Sequence, residues 1–353
     1  MRLFRNDYSE GAAPEVLAAL IATNDEQCVG YTEGDPHCEA ARKLIRAACG
    51  RDDVAVEFAI GGTSTNLVCV NGMLHDWEGV ICTPDAHINV HETGAVAATG
   101  RSVLPTRDAD GFLSPAEAER VYRYQTGTGR HMTRPAMIYI SNTTELGGVW
   151  SLERFDTICD WAQSHDLKVF VDGARMASAL TSPAAEGLTL EHLAARADAF
   201  YLGGTKNGML FGEALVIADP DLKRAFPFLI KERGGLMAKG RLQGVQFEAA
   251  FDPANYGEAG EPLYYQLARG ANACAVRLRD GMATLGYEPY GHSASNQQFF
   301  VVTPEQEEAF AEAVGSETFY TLDDGRRVIR FVCSWATTKA DVDELLAFAK
   351  GIA

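Results

Sequence analysis

The sequence predicts an α/β fold, in which a mostly parallel sheet is covered by helices on both faces. Two observations support this fold class. Between about residues 50 and 220, short β-rich runs alternate with segments of helical periodicity, and this alternation is typical of parallel strands joined by helical crossovers. After about residue 245 the alternation stops, which indicates a second, smaller α+β domain.

Seven runs are candidate strands, so the large domain should contain a seven-stranded sheet. They span residues 54–59, 79–82, 102–105, 136–140, 168–171, 199–202 and 214–218. Between them, Leu152, Phe155, Ile158 and Trp161 recur every three residues and predict a helix. A second helix should start at Pro115, because Pro is favoured at the first helical position.

The C-terminal part has a different pattern, and it predicts the domain division. We expect a helix at 264–285, strands at 298–302 and 327–333, and a last helix at 339–349. The predicted units are an N-terminal segment near the active site (1–20), a large domain (21–245) and a small domain (246–353).

Composition excludes several classes of function. The 353 residues are 46% hydrophobic, which is enough for one large core or for one large and one small core. The formal net charge of −17 argues against nucleic-acid binding and against anionic membrane surfaces. Because no run of about 18 apolar residues occurs, we expect no transmembrane helix.

Cysteine usage and the N-terminus indicate a cytoplasmic protein. Met1 to Glu10 contains no apolar signal-peptide core. The eight cysteines form no C-x-x-C pair and have no His cluster beside them, so we expect no metal site. Most of them lie in apolar stretches, which is typical of free thiols in a reducing compartment.

Three features follow candidate strands and point to one site. Residues 61–66 (GGTSTN) open a helix, where free N–H groups and the positive helix end bind phosphate. Asp172 directly follows the strand at 168–171, where ligands bind in α/β sheets. Lys206 follows the strand at 199–202 and two glycines.

Each feature has a simpler interpretation when it is taken alone. Many turns between a strand and a helix are rich in Gly and Thr, and an Asp such as Asp172 often caps a helix or pairs with a nearby Arg. Most lysines lie at the surface. For Lys206, however, flanking glycines leave space around the amine, and burial would lower its pKa and favour Schiff-base formation.

Together the three features occur in the order that pyridoxal 5′-phosphate (PLP) requires. Its phosphate needs N–H donors, its pyridine nitrogen needs an acidic partner to stay protonated, and its aldehyde needs a lysine. We therefore predict that PLP is the cofactor and that Lys206 carries it.

Four motifs extend this prediction to a family. They are 85–89 (DAHIN), 171–175 (VDGAR), 204–208 (GTKNG) and 330–338 (RFVCSWATT). With these motifs the chain resembles, over nearly its whole length, the L-threonine aldolase and β-eliminating lyase family. It is most similar to the low-specificity threonine or phenylserine aldolases, which are PLP enzymes with the aspartate aminotransferase type of fold.

The resemblance implies roles for the residues that contact the cofactor. Lys206 would form the Schiff base, and Asp172 would pair with the pyridine nitrogen. His87 would stack on the cofactor ring and act as a base or orient one. Gly62 and Thr63 would hold the phosphate.

It also implies substrate contacts and contacts across a subunit boundary. Arg175, which also contacts the cofactor, and Arg330 would grip the substrate carboxylate, because a planar guanidinium suits that ligand. Tyr31 would touch the substrate of a neighbouring subunit. Lys231 or Arg233 would reach a neighbouring phosphate.

Several positions depart from the family pattern, among them residues 140–143 (ISNT), which stand where the family has Leu-Glu-Asn-Thr. Asn6, a predicted substrate contact, stands where many members have Ser, and Thr144 stands where some carry a second active-site His. His91 replaces an aromatic residue and could line the pocket or lie at the surface. Either His87 or His91 is thus a candidate to take the β-hydroxyl proton, directly or through water.

The reaction implied by the resemblance is retro-aldol cleavage. The substrate would be a small amino acid such as L-threonine, L-allo-threonine or phenylserine, and the products would be glycine and an aldehyde. The alternatives are a β-eliminating lyase, which releases ammonia and a keto acid, and a PLP-binding protein without catalysis. The resemblance also implies a homotetramer, a dimer of dimers with active sites at the subunit boundaries.

Overall fold

Eleven strands form two sheets in the computed structural model, which describes residues 1–257 and 260–353. The main sheet consists of β1 (Ala55–Ala59), β2 (Glu78–Cys82), β3 (Ser102–Pro105), β4 (Arg134–Ser141), β5 (Lys168–Asp172), β6 (Ala199–Gly203) and β7 (Glu213–Ile217). The second sheet consists of β8 (Glu288–Pro289), β9 (Gln297–Val302), β10 (Glu317–Thr321) and β11 (Arg327–Val332).

The main sheet has the strand order β1-β7-β6-β5-β4-β2-β3. Strand β7 pairs antiparallel with β1 and β6, and the other neighbours pair parallel. This confirms the predicted seven-stranded, mostly parallel sheet. Because β1, β2, β4, β5 and β6 run in one direction, their carboxyl ends meet at a single edge, and β7 begins there.

Helices cover the sheet, and several begin at the signals that the sequence contains. Ser114 caps the helix that starts at Pro115 by accepting a hydrogen bond from the Glu117 N–H group. In the described residues the α-helices are α1 (Pro14–Ala22), α2 (Pro36–Ala48), α3 (Gly62–Met73), α4 (His87–Val90), α5 (Pro115–Thr126), α6 (Leu152–Ser164), α7 (Met176–Leu180), α8 (Leu190–Arg196), α9 (Phe226–Glu232), α10 (Arg241–Phe251), α11 (Leu263–Thr284), α12 (Pro304–Val314) and α13 (Lys339–Gly351).

Both faces of the main sheet are buried. Ile138 and Val169 point into the core on one face. Tyr139, Phe170 and Tyr201 point into the core on the other face. A strand that is buried on both faces has a continuous apolar sequence, which is why these strands appear as apolar runs without alternation.

The C-terminal elements have a core of their own. Phe300 and Phe331, from the second sheet, pack with Phe310 of α12 and Leu345 of α13. The predicted division after residue 245 falls inside α10, which packs closely on α2, so a break in sequence rhythm does not coincide with the end of a helix. The domain boundaries therefore stay a prediction. Within the described part of the chain, no helix combines the length and apolarity needed to cross a bilayer.

Candidate active site

Two cavities lie at the carboxyl edge of the main sheet and share part of their walls. The smaller has a volume of about 330 Å³ and the larger a volume of about 840 Å³. The larger one also touches the second sheet, through Phe319 and Tyr320 of β10. The residues that line both cavities are Tyr8, His87, Glu145, Arg175 and Lys206. These five residues mark the junction, and three of them are site residues that the sequence predicts.

Lys206 lies in the loop between β6 and β7, and Glu213 fixes this loop. The side-chain oxygens of Glu213 accept hydrogen bonds from the Gly204 N–H and the Thr205 hydroxyl, both at 2.9 Å. The glycines serve packing: a Cβ atom on Gly203 would lie 2.2 Å from a backbone oxygen of Ala174.

The surroundings of Lys206 lower the pKa of its amine. Burial lowers its pKa, and the nearby Arg175 charge lowers it further, against the opposing effect of Asp7, Glu145 and Asp172. A lysine with a lowered pKa is more often unprotonated at neutral pH, and the unprotonated amine is the form that attacks a carbonyl group.

Asp172 is the last residue of β5 and is only 5% exposed. One carboxylate oxygen accepts hydrogen bonds from the Tyr139 hydroxyl at 2.5 Å and the Asn66 amide at 2.9 Å. The other accepts from the Tyr201 hydroxyl at 2.5 Å and the Ala174 N–H at 3.0 Å. Burial raises the pKa of Asp172, but these donors outweigh it and the pKa is lowered, so the carboxylate is ionised.

Gly62 and Thr63 are the first residues of α3 and line the smaller cavity. Gly61 precedes them and has no side chain that could cap the helix. The first N–H groups of this 12-residue helix are therefore available to an anion in the cavity.

His87 begins α4, and a buried carboxylate holds its ring. Its Nδ1 atom lies 2.9 Å from Oε1 of Glu92, which also accepts a hydrogen bond from Asn66. Burial lowers the pKa of His87, but Glu92, Glu145 and Asp172 together outweigh burial and raise it. His91 follows with its ring centroid 5.5 Å from that of His87, and it lines only the larger of the two cavities.

Both predicted carboxylate-binding arginines reach the site, and each already contacts a carboxylate. Arg175 donates from Nε and Nη2 to Asp7, at 2.7 and 3.0 Å. Arg330 donates to Glu317 at 2.7 Å and to Gln297 at 3.2 Å. Burial raises the pKa of Asp7, but the Arg175 and Lys206 charges and the hydrogen bonds to Asp7 together outweigh burial, so the pKa is lowered.

Two predicted substrate contacts lie outside both cavities of their own chain, and for one of them, Tyr31, the prediction concerns a neighbouring subunit. Asn6 lines neither cavity, and its side-chain oxygen accepts hydrogen bonds from the Tyr8 N–H at 3.0 Å and the Ser9 hydroxyl at 2.9 Å. Tyr31 is 44% exposed and also lines neither cavity. The Lys231 ammonium lies 4.8 Å from the centre of its ring.

The structure also brings together metal-type ligands that the sequence did not reveal. Donor atoms of Glu26, Cys28 and His37 all lie within 4.8 Å of one another. Both ring nitrogens of His37 contact carboxylates, and a guanidinium nitrogen of Arg241 lies 3.7 Å from the Cys28 sulfur. Because Arg241 already places a cation there, we treat this group as an ion-pair cluster.

The fold is of the aspartate aminotransferase type. An aspartate aminotransferase from Thermus thermophilus superposes with a TM-score of 0.71 over 100% of this chain and 91% of that chain. Only 13% of the residues are identical, so this likeness concerns the fold alone. Residues 4–305 match the family model of the β-eliminating lyases, and the chain belongs to this family. Enzymes of these families are PLP-dependent.

Threonine aldolases are among the most similar relatives. The structure of Leishmania major threonine aldolase has 37% identity and a TM-score of 0.94, covering 100% of this chain and 99% of that chain. A low-specificity L-threonine aldolase from a Pseudomonas species is 29% identical over 99% of this chain and 97% of that protein. The Pseudomonas aeruginosa protein of the same name is 28% identical over 97% and 95%.

Proposed function

We propose that this chain binds PLP on Lys206 and cleaves L-threonine, L-allo-threonine or a related L-β-hydroxy-α-amino acid to glycine and an aldehyde. The observation that carries the proposal is the position of Lys206, which lines both cavities. A cofactor bound in the smaller cavity is thereby accessible to a substrate in the larger one. The full-length similarity to threonine aldolases from three organisms supports the reaction.

The lining of the smaller cavity fits PLP. The uncapped start of α3, with Gly62 and Thr63, would hold the phosphate. The ionised Asp172 would keep the pyridine nitrogen protonated, and Lys206 would bind the aldehyde carbon. When bound, the cofactor supplies an electron sink for the pair of electrons that a breaking Cα–Cβ bond leaves behind.

The two arginines would orient the substrate. The Nε atom of Arg330 is buried and has no hydrogen-bond partner among the described residues, so this guanidinium keeps a free donor beside its contact with Glu317. Together with Arg175 it would bind the substrate carboxylate and fix the direction of the Cα–Cβ bond. Such positioning lowers the entropic part of the barrier.

The test is a product assay with purified protein and PLP. L-threonine, L-allo-threonine and L-phenylserine are supplied separately, and glycine, aldehyde and ammonia are measured. We expect glycine and the matching aldehyde in equal amounts. Ammonia with a keto acid would contradict the proposal and establish the β-eliminating lyase.

Variants at two lysines test the attachment site. Lys206→Ala should abolish cleavage and the absorbance of lysine-bound PLP. Lys43→Ala, which removes an exposed lysine of α2, should behave as the wild type. Near-full turnover by Lys206→Ala would contradict the assignment of Lys206.

We also propose a homotetramer, a dimer of dimers, in the cytoplasm. Tyr31 and Lys231 lie together outside both cavities of their own chain, so they are available to the site of a neighbouring subunit. All eight cysteines are free thiols, which suits a reducing compartment. Sedimentation velocity of the PLP-loaded protein tests the assembly.

A further inference from the structure

A tight turn after β4 places Glu145 at the carboxyl edge of the main sheet. The Gly147 N–H donates to the Thr144 carbonyl at 2.9 Å and closes the turn, and the Thr144 N–H donates to the Gly148 carbonyl at 2.8 Å. The turn thus fixes the backbone on both sides of Glu145. Its side chain lines both cavities, beside Lys206.

Glu145 is a carboxylate that the surrounding protein leaves free. Among the residues that the structure describes, no group donates a hydrogen bond to its side chain and no cation lies within 4.0 Å of it. Asp172 and Glu92, in contrast, are engaged by hydrogen-bond donors. A half-buried carboxylate with unused lone pairs is able to accept a proton from a hydroxyl group in the cavity.

The two histidines that the sequence suggested are less suited to this step. Glu92 occupies Nδ1 of His87 and helps to raise its pKa, which favours the imidazolium, and an imidazolium has no lone pair for a proton. His91 is exposed and lines only the larger cavity, so it lies off the junction at which Lys206 is placed.

We propose that Glu145 is the catalytic residue that takes the β-hydroxyl proton during cleavage. The O–H bond breaks and the proton moves to the Glu145 carboxylate. As the Cα–Cβ bond breaks, the C–O bond becomes the carbonyl of the aldehyde, and the bonding electrons stay on the Cα side, with the cofactor as sink. Glu145 then returns its proton to solvent, and a proton from solvent adds at Cα and gives glycine, so atoms and charge balance. This inference rests on the function proposed above.

The experiment separates cleavage from chemistry that needs no β-hydroxyl group. The PLP-loaded enzyme is assayed for L-threonine cleavage and, by NMR in D₂O, for exchange of the glycine α-hydrogen. Glu145→Gln should lower kcat for cleavage by about 100-fold or more, the usual size of a general-base contribution. Its KM, its glycine exchange and its PLP affinity should stay within about threefold of the wild type, because the amide has nearly the same shape.

A matched control is Glu153→Gln, an exposed position in the first turn of α6, which should change none of these quantities. Full cleavage by Glu145→Gln would overturn the inference. So would a parallel loss of glycine exchange and PLP affinity, because that result assigns Glu145 to holding the site together. A wild type that cleaves no β-hydroxy amino acid would instead overturn the proposed function, and the inference would fail with it.

Discussion

Pairs of basic and acidic side chains lie at the candidate site. Asp7 lies against Arg175, Glu92 against His87, and Glu317 against Arg330. Removing one member of a buried pair leaves its partner's charge without compensation, which is strongly destabilising. The carboxylates therefore compensate the charges of the basic side chains in a partly dehydrated cavity.

Replacement of Glu92 tests whether its negative charge raises the pKa of His87. Glu92→Gln keeps an oxygen that can accept from the ring but removes the negative charge, so we expect the pKa of His87 to fall. Loss of a charged hydrogen bond should cost on the order of 1.4 kcal/mol. This free energy corresponds to a fall of about one unit in the pKa of His87. The measurement is a ¹H–¹⁵N NMR titration of the His87 ring, assigned by the loss of its signals in His87→Gln. An unchanged or higher pKa would show that Glu92 does not control this histidine.

Glycines at the ends of two adjacent strands let the loops of the site approach each other. The Gly203 N–H donates to the Gly173 carbonyl at 2.9 Å, directly after β5 and at the end of β6. A Cβ atom on Gly173 would lie 1.8 Å from the backbone oxygen of Tyr201. Backbone cannot move aside as a flexible side chain can, so this contact fixes Asp172 relative to the loop that carries Lys206.

Two glycine-to-alanine substitutions, with opposite expected effects on stability, test this close approach of the two loops. Gly173→Ala should destabilise the protein by about 3 kcal/mol or more, the upper end of overpacking effects, and weaken PLP binding. Gly270→Ala lies at an exposed position inside α11 with open space around it, so it should stabilise by about 0.5–1 kcal/mol. Urea denaturation measures both. A Gly173→Ala protein as stable as the wild type would contradict the close approach.

The positions of most strands could be predicted from the sequence, but their directions could not all be predicted. The nine predicted strands lie within one or two residues of their positions in the structure, because buried strands are short apolar runs bounded by turn residues. Strands β8 and β10, which are largely exposed, were not predicted. Asp172 and Lys206 were recognisable because each closely follows such a run. The antiparallel direction of β7 was not predictable, since an apolar run carries no sign of its direction.

Side-chain partners were harder to predict than elements. Tyr139 and Tyr201 look like core residues in strands buried on both faces, although their hydroxyls reach Asp172. Asp7 and Arg175 are separated by 168 positions, and no local pattern joins residues so far apart. The sequence pointed only weakly to Glu145, through its position directly after Thr144, which departs from the family pattern.

Across the whole molecule, buried carboxylates couple the site to the pH dependence of folding. The pKa values of Asp7 and Asp172 are lowered, so the stability that they contribute is present above their unfolded pKa and is lost as the pH falls through the folded value. The contribution of Glu213 to stability depends on pH in the opposite direction. Burial raises its pKa to about 8, against the hydrogen bonds from Thr205 and Gly204.

Glu213 therefore predicts a loss of stability toward alkaline pH. In the unfolded chain a Glu titrates near pH 4.3, so between about pH 4.3 and 8 the folded protein holds a proton that the unfolded chain has released. The stabilisation by Glu213 is complete below this window and is lost as the pH rises through it. Glu213→Gln cannot titrate. The free energy of unfolding of this variant minus that of the wild type should therefore increase with pH across the window, by at most about 1.4 kcal/mol per pH unit.

Urea denaturation of the PLP-free protein at pH 5, 6.5 and 8, with Glu153→Gln as the control, measures this difference. A difference that does not change with pH would mean that Glu213 is ionised in the folded state. That result would also change the account of Lys206, because an ionised Glu213 places a negative charge beside the lysine loop and raises the pKa of the amine. A protonated Glu213 instead holds the loop through neutral hydrogen bonds, so the same buried residue that makes folding sensitive to alkali adds no negative charge that would raise the pKa of Lys206.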